Sequence, residues 1–306
     1  MEPKVSIVVT TYNHERFIAK ALDSILEQNI SFPVEVLVGE DDSQDSTREI
    51  VEEYASTHRG RISLVLQDRK NVIRIDGVET GRFNFMDLIG RASGEFIAFC
   101  EGDDYWTDRG KLQMQVDYLT ANQEVSMCFH DAFMITDTGD RKSFPDLGEE
   151  RRFNTRDLFT QWFIPTSSML FRNKVVFPPW FTDVISGDIP LHFLLSEQGE
   201  LAYLPRCMSA YRKHPGGISN QHTGYYKAIG MSRLYHYLDA HFDHQYRDLV
   251  NQAIEYEFNH HVIRPALHSG HGERLGALRK KLGLSTDSLM YRSLVWMRAI
   301  KRKMVR

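Results

Sequence analysis

The sequence predicts an α/β fold: a mainly parallel sheet flanked by helices, with a helical C-terminal extension. Three observations predict it. Short β-branched runs alternate with amphipathic stretches through the first hundred residues. Polar and acidic residues come directly after three of those runs, where sheets of this kind bind their ligands. From Tyr225 onward the pattern is helical, broken near 265–272 and 283–285.

Taken in order, 5–10 (VSIVVT) reads as a buried strand. Phe17, Ile18, Ala21, Leu22, Ile25 and Leu26 then recur at helical spacing, with Asn13 available as an N-cap. Residues 34–38 form a second strand. A helix opens near Asp45 with Ile50, Val51 and Tyr54 on one face, and 62–66 form a third strand. The segment 72–81 has no clear period. Helix 83–89 and strand 96–100 come next. Alternating strands and helices imply right-handed crossovers and parallel pairing. The middle of the chain mixes strands at 126–129, 168–171 and 201–204 with helices at 111–121 and 189–196. Two regions result: an α/β domain over 1–220 and a helical region over 221–306.

Composition bounds the function class. The chain has 306 residues, 42% hydrophobic and 25% charged, enough for a large core. No apolar run approaches the ~20 residues of a membrane span, and the apolar run at 5–9 is too short for a signal peptide. A cytoplasmic protein is the expectation. Three scattered cysteines argue against a disulfide framework and read as buried small residues. Net charge is −4, but 274–306 carries ten Lys/Arg against one Asp, a local +9 on an acidic body. That asymmetry points to an anionic partner for the tail. Leu289, Ser293, Trp296 or Met297, Ile300 and Met304 fall on one face of 289–306, with basic residues over much of the rest. Such a helix either lies on an anionic membrane surface or packs on the body. No motif accompanies it that would suggest nucleic acid.

The chemistry-bearing residues sit at strand ends. Glu101-Gly-Asp-Asp104 places three carboxylates within four residues, which repel unless a cation joins them. Mg²⁺ or Mn²⁺ with substrate phosphates fits; a solvated acidic turn fits equally. Glu40-Asp41-Asp42 ends another strand. Asp41 can accept from the imide N–H of a uracil, with Thr10, Tyr12 and Asn13 walling the base and Tyr12 stacking on it. No phosphate loop with a lysine and no GxGxxG occurs after the first strand. Arg212, Lys213 and His214 can therefore serve the diphosphate, His214 as metal ligand or pyrophosphate contact.

Four pieces together resemble family-2 glycosyltransferases of the GT-A fold, of the bacterial cell-surface polysaccharide type. They are 5–13 (VSIVVTTYN), 38–47 (VGEDDSQDST), 92–106 (ASGEFIAFCEGDDYW) and 211–214 (YRKH), in the family's order over 1–220. The resemblance implies that Asp41 reads the nucleotide base. It implies that Glu101 and Asp103 fill the DxD motif, with Asp103 the metal ligand and Asp104 beside it. It also implies that Asp188 is the catalytic base, though that position equally suits a helix N-cap. The chain carries Glu40 and Glu101 where the family usually has Asp, and Gly187-Asp188 where it usually has Glu-Asp. Thr166, Ser167 and Ser168 fall in the implied acceptor loop. The implied activity is inverting transfer of a hexose or N-acetylhexosamine. The donor is a nucleotide-diphosphate sugar, expected to be a UDP-sugar. The acceptor is a hydroxyl of a glycan or lipid-linked glycan. The rivals are a sugar-nucleotide pyrophosphorylase, which usually carries a basic Gly-rich loop after its first strand, and a nucleotide-sugar-binding protein without turnover.

Overall fold

The computed structural model describes residues 2–136, 138–139, 141–160, 162–217 and 223–263. Its first half runs β1 (Val5–Thr11), α1 (Ile18–Leu26), β2 (Val34–Glu40), α2 (Thr47–Thr57), β3 (Ile62–Leu66), β4 (Ile73–Ile75), β5 (Val78–Thr80), α3 (Arg82–Arg91) and β6 (Phe96–Phe99). Then come β7 (Tyr105–Trp106), α4 (Lys111–Ala121), β8 (Val125–Thr136), β9 (Arg141–Phe144), β10 (Arg151–Phe153), β11 (Leu170–Arg172), α5 (Asp188–Ser196) and β12 (Glu200–Lys213). The main sheet has the order β10-β12-β8-β11-β6-β1-β2-β3, with β7 on β12 and β9 on β8.

β1 lies between β2 and β6, parallel to both. A strand covered on both faces reads as an unbroken apolar run, which is why VSIVV shows no alternation. The sheet is mixed. The parallel pattern holds from β3 to β6, but β11 pairs antiparallel with both β6 and β8. Beyond it β8 and β12 again run parallel. Ile18, Ala21, Leu22 and Ile25 of α1 join Val5, Ile7, Val9, Val36, Val38 and Phe96 in one core cluster. Each fully buried Val, Leu, Ile or Phe side chain there contributes about 1.5–3 kcal/mol relative to exposure.

Two local expectations change. Asn13 does not cap α1. The helix starts at Ile18, and Asn13 has φ 55° in a loop that its own side chain ties to the neighbouring strand end. Segment 72–81 is a two-stranded hairpin, β4 against β5. Asp76 and Gly77 turn it with φ 53° and 81°, the conformation that an Asp-Gly pair favours in tight hairpins.

The chain divides into two compact units. The sheet-bearing one comprises Met1–Leu158, Trp162–Asp183 and Gly187–Ile218; the other comprises Phe159–Gln161, Val184–Ser186 and Ser219–Arg306. In the second, α6 (Gly224–His241) and α7 (Arg247–Phe258) bury Leu234, Leu238, Val250 and Ile254, and a π-helical turn Asn259–Ile263 comes after them. None of the described helices is long and apolar enough to cross a membrane. The basic tail from Arg274 and its amphipathic stretch 289–306 lie outside the described residues.

Candidate active site

Parallel strands β1, β2 and β6 bring their carboxyl ends to one edge, and three polar loops leave from it. Thr11 binds these loops together. Its carbonyl accepts from the Asp41 backbone N–H at 3.0 Å, and its hydroxyl meets His14 Nδ1 at 3.2 Å. The Thr10 carbonyl accepts from the Gly102 N–H at 2.9 Å. A methyl group at Gly102 would come within 2.6 Å of the Thr11 hydroxyl and 2.8 Å of His14 Nδ1. Only glycine permits so close an approach.

On one side of Thr11 stands a group of atoms that could ligate a metal ion. His14, Asp103 and His214 each offer one donor, and the three donors lie within 4.8 Å of one another. Asp103 Oδ2 is 3.0 Å from His214 Nε2 and 3.8 Å from His14 Nε2. Two imidazoles and a carboxylate on three separate segments fit a divalent transition ion. Burial lowers the His14 pKa, partly offset by Asp103, which favours the neutral ring that a metal needs. Burial also opposes ionisation of Asp103, but the hydrogen bond from His214 and the charges of both histidines outweigh it, and its carboxyl lies below the usual range. His14 was not among the residues that the sequence singled out.

The neighbouring carboxylates are treated differently. Burial, then the charge of Asp103, pushes both Glu101 and Asp104 well above the carboxylate range. Asp104 is fully buried, and its Oδ1 accepts from the Arg212 backbone N–H at 2.9 Å. It therefore fastens β12 to the acidic loop. Arg212 donates through Nη1 to the Asp103 carbonyl at 2.6 Å, with its guanidinium over the Tyr105 ring at 4.4 Å.

On the other side of Thr11 lies a corner of a different kind. Tyr12 is 37% exposed, and the Arg69 guanidinium sits over its ring at 4.6 Å. Arg69 Nη1 reaches the Asp41 carbonyl at 3.3 Å and its carboxylate at 3.6 Å. Burial raises the Asp41 pKa to about 6, with Arg69 pulling against it. Glu40 and Asp42 take no part. Arg48 of α2 binds Glu40 Oε2 at 2.8 Å and Asp42 Oδ1 at 3.1 Å, so these two carboxylates are neutralised locally. Asn13 accepts from the Gln44 N–H at 2.8 Å and donates its own N–H to the Ser43 hydroxyl at 2.9 Å. Its amide carbonyl shapes the loop instead of facing a base.

The acceptor-loop expectation divides. Ser167 and Ser168 are fully buried. The Ser167 hydroxyl meets Ser209 at 3.2 Å, and the Ser168 hydroxyl donates to the Pro165 carbonyl at 2.6 Å. Neither can hold a sugar, because both hydroxyls are turned into the core. Thr166 is half-exposed and donates to Asp188 Oδ2 at 3.4 Å. Asp188 is the first residue of α5, and its Oδ1 accepts from the Ile189 N–H at 2.9 Å. The charge of Asp188 contributes to the raised pKa of Glu101, so the helix start and the acidic loop share one electrostatic environment.

Known proteins resemble this chain over the strands that carry these loops. The model for glycosyl transferase family 2 matches residues 6–177, more than half of the chain. An uncharacterized protein of Mycobacterium tuberculosis is 38% identical over 215 residues, covering 70% of this chain and 60% of its own length. The chain thus spans less than two thirds of that relative. The Escherichia coli protein WfgD, a UDP-Glc:alpha-D-GlcNAc-diphosphoundecaprenol beta-1,3-glucosyltransferase, is 35% identical over 118 residues, 39% of this chain and 42% of its own. Among solved structures, S. aureus TarS 1–349 with UDP-GlcNAc aligns at a TM-score of 0.56 and 18% identity, over 92% of this chain and 93% of its own. The mannosyltransferase PcManGT of Pyrobaculum calidifontis, with GDP-Man and Mn²⁺, aligns at 0.55 and 18%, over 98% and 85%. At such identity the structural likeness speaks for the GT-A fold alone. With the family model covering the strand ends that carry the site, the chain belongs to glycosyl transferase family 2.

Proposed function

We propose that the chain is a metal-dependent inverting glycosyltransferase. Its donor is a nucleotide-diphosphate sugar, in our reading a UDP-sugar carrying a hexose or N-acetylhexosamine. Its acceptor is a hydroxyl of a glycan or lipid-linked glycan, in cell-surface polysaccharide synthesis. The observation that carries this reading is the Thr11 bridge. It joins a corner with an aromatic ring, a carboxylate and a guanidinium (Tyr12, Asp41, Arg69) to a group that could ligate a cation (His14, Asp103, His214) along one sheet edge. A nucleoside diphosphate needs both: a hydrogen-bonding, stacking site for its base and a cation for its phosphates.

In this reading Asp41 accepts from the base imide, and Tyr12 and Arg69 flank it. Asp103, His14 and His214 would hold the divalent ion, Mn²⁺ in preference to Mg²⁺ because two of three donors are imidazole nitrogens. The ion, when bound, neutralises charge growing on the departing diphosphate. Arg212 adds a fixed positive charge beside it. Asp188 takes the proton of the acceptor hydroxyl as its oxygen bonds to the anomeric carbon and the bond to the diphosphate oxygen breaks. Thr166 holds one Asp188 oxygen in place. The WfgD name, with its diphosphoundecaprenol acceptor, supports a lipid-linked acceptor here. The cationic amphipathic sequence 289–306 supports peripheral membrane association on the cytoplasmic side.

The test is direct. UDP-, GDP- and dTDP-sugars are screened with Mn²⁺ for donor hydrolysis and for transfer to lipid-extracted acceptors. Asp188→Asn is expected to keep donor binding and lose turnover by roughly a hundredfold or more. Full turnover in that variant removes Asp188 as the base.

A further inference from the structure

We propose that Arg82 is a positioning residue for Asp188, giving that carboxylate its counter-charge and holding it in line for the acceptor hydroxyl. The proposal rests on the reading of Asp188 as the base. Arg82 opens α3, more than a hundred residues from α5 in sequence, yet its guanidinium packs against the residue that precedes Asp188. A methyl group at Gly187 would lie 3.5 Å from Arg82 Cζ and 3.7 Å from Nε and Nη2. The group is fixed there on two further sides. Nη1 donates to the Phe181 carbonyl at 2.9 Å, and the guanidinium stands 4.7 Å from the Phe181 ring centre.

Arg82 is 4% exposed. A guanidinium taken out of water is costly unless counter-charge and fixed dipoles repay it. The Phe181 carbonyl supplies a dipole, and Asp188 supplies the counter-charge. Burial lowers the Arg82 pKa to about 10, and the charge that opposes this is that of Asp188. A scaffold arginine would be better placed at the surface, whereas a buried cation beside a carboxylate that must accept a proton has a catalytic use.

Three other described groups stand near Asp188 or share its field, and none of these three is a cation. Glu101, from the loop after β6, is an acid, held well above the usual carboxylate range by burial and by the charges of Asp103, Asp104 and Asp188. His192, one turn further along α5, is held neutral because burial lowers its pKa to about 4. Thr166 offers a neutral hydroxyl. Within this set Arg82 is the cation.

The experiment compares Arg82→Met, Arg82→Gln and Arg82→Lys in the full chain, reading kcat, donor affinity by thermal shift with Mn²⁺, and the pH–rate profile. R82M and R82Q are expected to lower kcat about tenfold or more at neutral pH with donor affinity unchanged. They should also move the acidic limb of the profile upward by roughly one pH unit. R82K restores the limb, because it restores the charge, even where the lost stacking on Phe181 keeps kcat below the parent. If R82M does not fold, R82Q carries the comparison, since its amide can still donate to the Phe181 carbonyl. A lowered melting temperature with kcat and pH profile unchanged in R82M or R82Q makes Arg82 a structural residue and overturns the proposal. Turnover retained in D188N instead refutes the base reading, and the two failures are separate.

Discussion

The Asp103 carboxylate and the His214 imidazole, 111 residues apart in the chain, meet at 3.0 Å. His14 arrives from a third segment, so no two of the ligating residues are neighbours in sequence. Such a convergence has a cost, since three largely shielded polar groups must be held with little water to solvate them. A bound cation offsets it. Donor with Mn²⁺ at about 100 times its Kd should add about 2.7 kcal/mol of stability, roughly 5–10 °C in melting temperature for a domain of this size. Asp103→Ala and His214→Ala should each abolish the metal-dependent part of that shift, and EDTA should do the same to the parent. Mg²⁺ should replace Mn²⁺ only at higher concentration. An equal shift with EDTA present would show that the donor binds without an ion.

Donor binding should depend on pH through Asp41. Its pKa is raised to about 6 by burial, and only the ionised form can accept from a base imide without restriction. Proton uptake leaves a weaker, neutral carbonyl acceptor beside a competing O–H donor, so affinity is constant well above pH 6 and falls as pH drops through it, to a lower plateau. Asp41→Asn keeps a carbonyl acceptor that does not titrate. Its affinity should be lower at pH 7.5 and flat between pH 5 and 7.5. Calorimetric titration of a UDP-sugar at four pH values decides this, and a parent curve flat over the same range would count against Asp41 as the base reader.

Much of the site was legible in the sequence because the fold repeats a simple rule. VSIVV, VEVLV and FIAF are parallel strands, and the loops that leave their carboxyl ends share one edge. The rule located Asp41, Asp103 and the Thr10–Asn13 loop without tertiary knowledge. It could not say which carboxylates were already paired. Glu40 and Asp42 are neutralised by Arg48, whose approach depends on the orientation of α2. His14 lies just past the first polar loop. Arg69 lies just past β3, the one parallel strand of this group whose end carries no acidic cluster to draw attention to it. The same rule applied to β3 would have found Arg69. Ser167 and Ser168 show the opposite failure. Loop composition suggested exposed hydroxyls, and the local 3₁₀ turn Thr166–Ser168 instead rotates two of the three inward.

That rotation separates two neighbouring substitutions. Thr166→Val removes the hydroxyl that meets Asp188 Oδ2 while keeping side-chain volume. It should lower kcat several-fold or raise the acceptor KM, with donor binding and melting temperature near the parent. Ser168→Ala removes a buried hydrogen bond to the Pro165 carbonyl. It should cost about 1 kcal/mol of stability and leave the kinetics near the parent. The reverse pattern, with S168A impairing acceptor use and T166V inert, would place the acceptor elsewhere.

Lys111 gives a stability prediction that does not depend on function. Its ammonium is fully buried, 2.8 Å from Gln115 Oε1 and 4.1 Å from the centre of the Trp106 ring. Gln115 in turn donates to the Ser168 carbonyl at 2.8 Å, and Trp106 Nε1 to that of Ser167 at 3.1 Å, so these residues support the acceptor loop from beneath. Burial lowers the Lys111 pKa to about 7 from its ordinary 10.5. Between those values the unfolded chain binds a proton that the folded chain has released, so stability must rise with pH, by up to about 1.4 kcal/mol per unit. Lys111→Met fills the same space without a titrating group. At pH 7 it should be at least as stable as the parent, since a buried amine with few partners is weakly favourable at best. At pH 9 the parent should have gained on it. Urea unfolding of both proteins at pH 7, 8 and 9 measures the difference in slope. Parallel slopes would mean that the buried amine keeps its proton, held by Gln115 and the Trp106 ring more strongly than burial opposes it.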